Sequence, residues 1–171
     1  MSNQIAQGFL MELEHESQAT LKILGALPED KFDYKPHGKS MTAGELASHI
    51  AEALQWAEVT CKEDGMVMDP AKYVPYKAES KADLLETFDK NLKIAKEAIG
   101  STSDEAMMSI WSMKMAPDNH VAFEMPKLVV LRSFIFNHGV HHRAQLGVYL
   151  RLLDVEVPQV YGPTADFPEM M

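Results

Sequence analysis

A single cysteine, Cys61, stands among 171 residues. One thiol cannot close an intramolecular disulfide, and it cannot supply a cysteine-based metal cage. Long apolar runs are also missing, since nothing approaches the roughly 20 residues a helix needs to cross a bilayer. The opening stretch, MSNQIAQGFLMELEHE, lacks the basic segment, apolar run and small-residue cleavage site of a secretory signal. A cytoplasmic location is therefore expected. Basic side chains are scarce, 16 Lys and Arg against 25 Asp and Glu, which gives a formal net charge of −9. Nucleic-acid polyphosphates and anionic membrane surfaces both select clustered Lys and Arg, so neither is an expected partner. Internal repeats and low-complexity tracts are absent.

What is present is the composition of a packed globular chain, 46% apolar and 24% charged. At roughly 150 residues per domain, residues 1–171 are expected to form a single domain. Four stretches carry apolar residues at three- and four-residue steps. The first runs from about Asn3 to Ala26 through Phe9, Leu13, Thr20, Leu24 and Leu27, and Pro28 stops it. The second opens on Thr42 and Glu45, spaced as a capping box in which each side chain accepts from the other's backbone N–H. Its inward stripe is Leu46, His49, Ile50, Ala53, Ala57 and Thr60, and it ends near Gly65. The third begins at Ser80, with Asp83 three residues on, and carries Leu84, Leu85, Phe88, Leu92, Ala95 and Ile99. Gly100 is expected just past its last turn, with a positive φ. The fourth follows Pro126 and runs to about Leu153, with Leu131, Phe134, Ile135, His138, His142, Gln145, Tyr149 and Leu152 on one face. Four such helices predict an all-α four-helix bundle.

Residues 66–79 are long enough to cross a bundle end between the second and third helices. Ahead of the fourth, Trp111, Met113 and Met115 alternate before Pro117-Asp118-Asn119, and Val121, Phe123 and Met125 alternate after it. A short hairpin is expected there. The tail from Val157 is expected to be irregular.

Three histidines sit where solvated side chains do not belong. His138 and His142 are four apart, so their rings project from one helix face and can reach a common point. His49 takes the equivalent inward place on the second helix. Periodicity alone leaves two readings open, hydrogen-bonded core histidines or metal ligands. Three imidazoles buried together without an ion leave several nitrogens seeking partners, and each unsatisfied one costs roughly 1–3 kcal/mol. On one divalent ion they would leave its full charge and an open position, the arrangement of a catalytic zinc site. His141, three residues after His138, allows a His138/His141 pair as the alternative. His15, His37 and His120 fall on a polar face or in loops and are expected to be solvated.

Other side chains flank the cluster. Arg143 and Gln145 could orient a ligand or an imidazole, and Tyr149 stands one further turn on. A structural ion pair explains Arg143 equally well. Glu52, one turn after His49, is a candidate base at the mouth of the site or the member of a surface salt bridge. Cys61 is three turns beyond His49, too far along the helix to join the same ion. Met107, Met108, Met113, Met115 and Met125 are expected as packing filler, or as the lining of an adaptable pocket.

The run MPKLVVLRSFIFNHGVHHRAQLGVYLRLLDVEVPQVYGPTAD resembles the corresponding part of the DinB (damage-inducible) family, within the wider DinB/YfiT-like superfamily. That family's signature there is an NHxxHHRGQL segment followed by VPxxYGP. LPEDKFDYKPHGKSMTAGELASHIAE resembles its earlier block, an LP…P…KSM…GEL…H pattern. The two blocks agree in order and spacing over the front and last thirds of the chain, while 66–105 offers only a helical pattern. The resemblance implies an antiparallel four-helix bundle with a long crossover between helices two and three. It also implies one divalent metal per chain, zinc or nickel, held by His49, His138 and His142. Ala144 stands where the family has glycine; alanine is small and a better helix former, so the site is expected to survive.

Relatives in the superfamily include thiol transferases and a thiol-dependent isomerase that use low-molecular-weight thiols such as bacillithiol or mycothiol. The resemblance thus implies a metal-dependent enzyme acting on a small molecule, by thiol S-transfer in a detoxifying role or by metal-assisted hydrolysis. The rival expectation is a non-catalytic metal- or ligand-binding bundle that works through partner binding. A homodimer is implied as well, to which apolar loops around Trp111 and Tyr161 could contribute.

Overall fold

The computed structural model describes residues 2–169, most of them helical. Helix α1 spans Gln4–Ala26 and is capped from far along the chain. Asp104 accepts from the Ile5 N–H at 2.9 Å and from the Ser2 hydroxyl, whereas Asn3 makes no side-chain cap. Phe9, Leu13, Thr20 and Leu24 are buried along one face, and the chain leaves the helix at Leu27. Helix α2 (Ala43–Ala53) starts on the expected box: Glu45 N–H donates to Thr42 Oγ1 at 3.1 Å, and Thr42 N–H donates to Glu45 Oε2 at 2.8 Å.

The second expected helix is broken in two. At Leu54 and Gln55 the bonds tighten, Gln55 N–H to Glu52 O and Ala57 N–H to Leu54 O, before α3 (Trp56–Lys62) resumes. Strand β1 (Gly65–Met68) follows. Helix α4 (Lys81–Gly100) begins at Ser80, whose hydroxyl accepts from Asp83 N–H at 3.1 Å. Gly100 is its last helical residue rather than a left-handed one, and no glycine among the described residues has a positive φ. A short α5 (Asp104–Met108), strands β2 (Ile110–Met115) and β3 (His120–Pro126), and α6 (Lys127–Leu131) come next. A π-helical turn, Arg132–Asn137, then leads directly into α7 (His138–Leu152).

Helices α1 and α2 each pack against both α4 and α7. Leu24, Leu46, Leu84, Ile99, Leu131, Leu146 and Leu150 fill the space between them. No helix among the described residues is long and apolar enough to cross a membrane.

The chain is not all-α. β2 and β3 pair antiparallel, as the alternation around Pro117 predicts, but β1 joins them to make a three-stranded sheet in the order β1-β2-β3. β1 runs parallel to β2, with Gly65 opposite Ser112 and Met68 opposite Met115. Part of the expected crossover is therefore a strand. The sheet carries its own apolar cluster, in which Trp111, Met113 and Val130 are buried against Trp56, Met66, Phe123 and Phe134. Trp111 belongs to no exposed loop: it is fully buried, with its indole N–H directed at the Val59 carbonyl 3.4 Å away. Met115 and Met125 pack on the same cluster, which makes them filler, whereas Met108 stands exposed.

Gly65 is required by close approach. A Cβ there would lie 2.3 Å from the Ser112 carbonyl oxygen, a backbone atom that cannot step aside. Gly65→Ala is expected to detach β1 from β2 at a cost of about 1–3 kcal/mol. Amide hydrogen exchange reads this directly: Ser112 and Ala116, whose N–H groups bond Asp64 O and Met68 O, should lose protection while α4 keeps it.

Candidate metal centre

Were 126–153 one regular α-helix, the stripe through Leu131 and Ile135 would continue along His138, His142, Gln145, Tyr149 and Leu152. The buried positions of α7 are instead Arg143, Leu146 and Leu150, each one residue later. Gln145 and Leu152 are exposed. The π turn is the cause. It carries about one residue more per turn than an α-helix, so everything after it is rotated by roughly one position, about 100°. His138 and His142 consequently leave the centre of the stripe for its edge, half-buried on the helix that packs against α2.

His49, also half-buried, meets them from α2. His49 Nε2 and His138 Nε2 are 2.8 Å apart. Ring centroids are separated by 4.9 Å for His49 and His138, 4.8 Å for His49 and His142, and 4.3 Å for His138 and His142. One ligating nitrogen from each ring lies within 4.8 Å of the other two. His142 Nδ1 donates to Gln145 Oε1 at 2.7 Å; because that oxygen only accepts, the ring proton sits on Nδ1 and Nε2 keeps its lone pair.

These residues fit a divalent ion. The two facing Nε2 atoms either share one proton in an N–H···N bond or, with both ring protons on Nδ1, aim two lone pairs at the same space, and it is this second form that a cation between them takes up. A tetrahedral zinc bound at 2.0–2.1 Å sets its nitrogens about 3.3 Å apart, within a small ring rotation of the spacing present. Burial holds His49, His138 and His142 below the ordinary imidazole range. For His138, burial and then the neighbouring imidazoles of His142, His49 and His141 bring it to about 4. The Glu52 carboxylate opposes burial at His49, and the bond to Gln145 opposes it at His142. Neutral imidazole is the form that binds metal.

His141 is exposed, its ring centroid 4.8 Å from that of His142. Tyr149 donates its hydroxyl to Met41 O at 3.3 Å and meets Tyr34 edge-on. Arg143 is buried and turned to α1 and the tail, donating to Glu16 O, Glu16 Oε2, Thr20 Oγ1 and the Tyr161 hydroxyl. Among the described residues Glu52 has no salt-bridge partner; it is buried and accepts from the Tyr73 hydroxyl at 2.8 Å and the Tyr76 N–H at 3.2 Å. His15, His37 and His120 are exposed. Burial pushes the Cys61 thiol up, away from the reactive thiolate.

Tyr73, Tyr76 and Ser48 also bear on the site, without a motif that marks them in the sequence. The Ser48 hydroxyl accepts from Ala78 N–H at 2.9 Å, so residues 73–78 are strapped along α2 on both sides of His49. Nothing in that stretch has a periodicity from which the contacts could be read. A groove of about 850 Å³ between α3, β1 and α4 has Glu52, Trp56 and Tyr73 on its wall but none of the three histidines.

Fold and site together describe a mostly helical protein able to hold one metal ion between two of its helices. The DinB family model matches residues 1–170, and the chain belongs to that family. It is 26% identical to the uncharacterized protein YrdA from Bacillus subtilis strain 168 over 162 residues, 92% of this chain and 89% of that one. A crystal structure of a DinB-like protein from Bacillus cereus ATCC 10987 matches with TM-score 0.68 at 26% identity, covering 91% of this chain and 97% of that one. A second, the DinB-like YjoA from Bacillus subtilis, shares the fold with TM-score 0.64 at 21% identity, covering 92% and 98%.

Proposed function

We propose that this chain is a metal-dependent enzyme acting on a small molecule. In this reading His49, His138 and His142 hold one zinc or nickel ion inside an antiparallel four-helix bundle. The observation that carries it is the donor set: three neutral imidazoles from two helices, half-buried, with no carboxylate among them. All-nitrogen sites suit zinc, nickel, copper or iron, whereas calcium and magnesium take oxygen ligands. When bound, such an ion acts as a Lewis acid with an open position, lowering the pKa of a thiol or water presented to it.

The chain's own residues prepare that chemistry. Burial keeps the three rings deprotonated near neutral pH, Gln145 fixes the His142 tautomer, and the π turn leaves the cluster open to an incoming molecule. Thiol S-transfer in a detoxifying role is the version we prefer, from the likeness to the thiol-using superfamily; metal-assisted hydrolysis is the close variant. With a net charge of −9 the partner is a small molecule rather than a nucleic acid. The chain is proposed to work in the cytoplasm as a homodimer, for which Val148, Leu152 and Tyr161 offer exposed apolar surface.

The test is a screen of tag-free, zinc- or nickel-loaded protein against electrophiles with several low-molecular-weight thiols, read by loss of free thiol. Turnover that disappears with chelator and in His142→Ala supports the enzyme. A chain that binds one ion yet turns over no thiol, ester or amide is the non-catalytic bundle instead.

A further inference from the structure

Glu52 is a carboxylate with 9% of its surface exposed. Among the described residues, no lysine or arginine forms an ion pair with it. Buried charge is costly unless it is paired. The Tyr73 hydroxyl and the Tyr76 N–H satisfy its lone pairs, but both are neutral and cancel none of its charge. The buried cations on other elements are already taken, Arg143 by Glu16 and Lys127 by Asp64.

One turn away on the same helix lies the opposite problem. Glu52 is three residues after His49, and residues so spaced are neighbours on a helix surface. Three neutral imidazoles would leave a divalent ion's two positive charges uncompensated in a half-buried site. Each charge is expensive alone, and each is offset by the other. We propose that Glu52 is the counter-charge of the three-histidine centre. It is a positioning residue that neither ligates the ion nor touches substrate; its fixed negative charge raises the affinity for a divalent cation, and Tyr73 and the Tyr76 N–H hold the carboxylate in place. This rests on the three-histidine reading and deepens it.

The alternative role for Glu52 is mechanical, tying residues 73–76 to α2. Glu52→Gln separates the two, because its amide oxygen still accepts from Tyr73 or Tyr76 while the charge is gone. Chelator-stripped, tag-free protein titrated calorimetrically with Zn²⁺ is expected to show affinity reduced by roughly 10-fold or more in E52Q, the scale of outer-shell changes at metal sites. Glu52→Asp, which keeps the charge, should recover part of the loss. If E52Q melts early, the rise in melting temperature on adding Zn²⁺ reads the same quantity, and it should be smaller than in the wild type. Equal affinity, or an equal rise, overturns the proposal while His49, His138 and His142 stand as ligands. A wild-type chain that binds no Zn²⁺ at micromolar concentration overturns both.

Discussion

Replacing His49 by alanine is expected to abolish stoichiometric metal binding while leaving the helices intact. The reason lies in where the ring sits. His49 is half-buried at the edge of α2, and the ring contacts it makes are to His138 and His142, so its removal opens no cavity under Leu46 or Ile50. Two imidazoles remain, and two neutral ligands hold a divalent ion far more weakly than three. Outer-shell substitutions alone cost 10–100-fold in affinity, so loss of a ligand should cost at least about 100-fold. Calorimetry on chelator-stripped protein checks the affinity, and melting of the metal-free variant should fall within about 1 kcal/mol of wild type. Retention of one tightly bound ion per chain in H49A would place the metal elsewhere.

The same variant carries a pH signature. In the metal-free chain the three imidazoles are held below the unfolded value near 6.5, chiefly by burial, and His138 to about 4. Between those limits the unfolded chain binds more protons than the folded one. The stability present above about pH 6.5 is therefore lost as pH falls toward 4. H49A removes one depressed group and one neighbour of His138, so its acid slope should be shallower.

Much of this site was legible because helical spacing and burial cost speak through residue type. The i,i+4 pair His138 and His142, the inward place of His49 and the Thr42–Glu45 box all follow from position alone. The phase of α7 does not. Phe134, Ile135 and Phe136 are consecutive apolar residues, and Tyr149-Leu150 and Leu152-Leu153 are apolar pairs. Two stripes one residue apart are thus almost equally hydrophobic. Only the π turn decides between them, and a π turn has no side-chain signature of its own. The chosen phase buries an arginine, Arg143, which periodicity counts against it; Glu16 offsets that cost from α1, a residue 127 positions away. β1 was hidden for a similar reason, since four residues of GMVM gain their strand character from β2, more than 40 residues later. Glu52 looked solvent-facing because its partners, Tyr73 and Tyr76, lie in a stretch with no regular pattern.

Arg143→Ala is expected to be the most destabilising single change at a polar position in the described chain. Its guanidinium is 2% exposed and divides its donors among Glu16 O at 2.9 Å, Thr20 Oγ1 at 3.1 Å, Glu16 Oε2 at 2.6 Å and the Tyr161 hydroxyl. It also stacks over the Tyr161 ring, 5.0 Å from the centroid. Truncation leaves the Glu16 carboxylate, 17% exposed, without its cation and frees the tail that Tyr161 pins to α1 and α7. Breaking a buried pair from one side costs roughly 3–5 kcal/mol, which at this chain length lowers the melting temperature by on the order of 10 °C. Arg143→Lys should restore little, because an ammonium cannot reproduce the planar fork. Tyr161→Phe keeps the ion pair and should cost only about 1 kcal/mol. Because the hydrogen bonds, ion pair and ring contact of Arg143 among the described residues all run to α1 or the tail, the fraction of R143A that remains folded should bind Zn²⁺ with wild-type affinity. A variant that melts like the wild type but loses the metal would instead assign Arg143 to the histidine centre, and the geometry of α7 would have to be redrawn without its π turn.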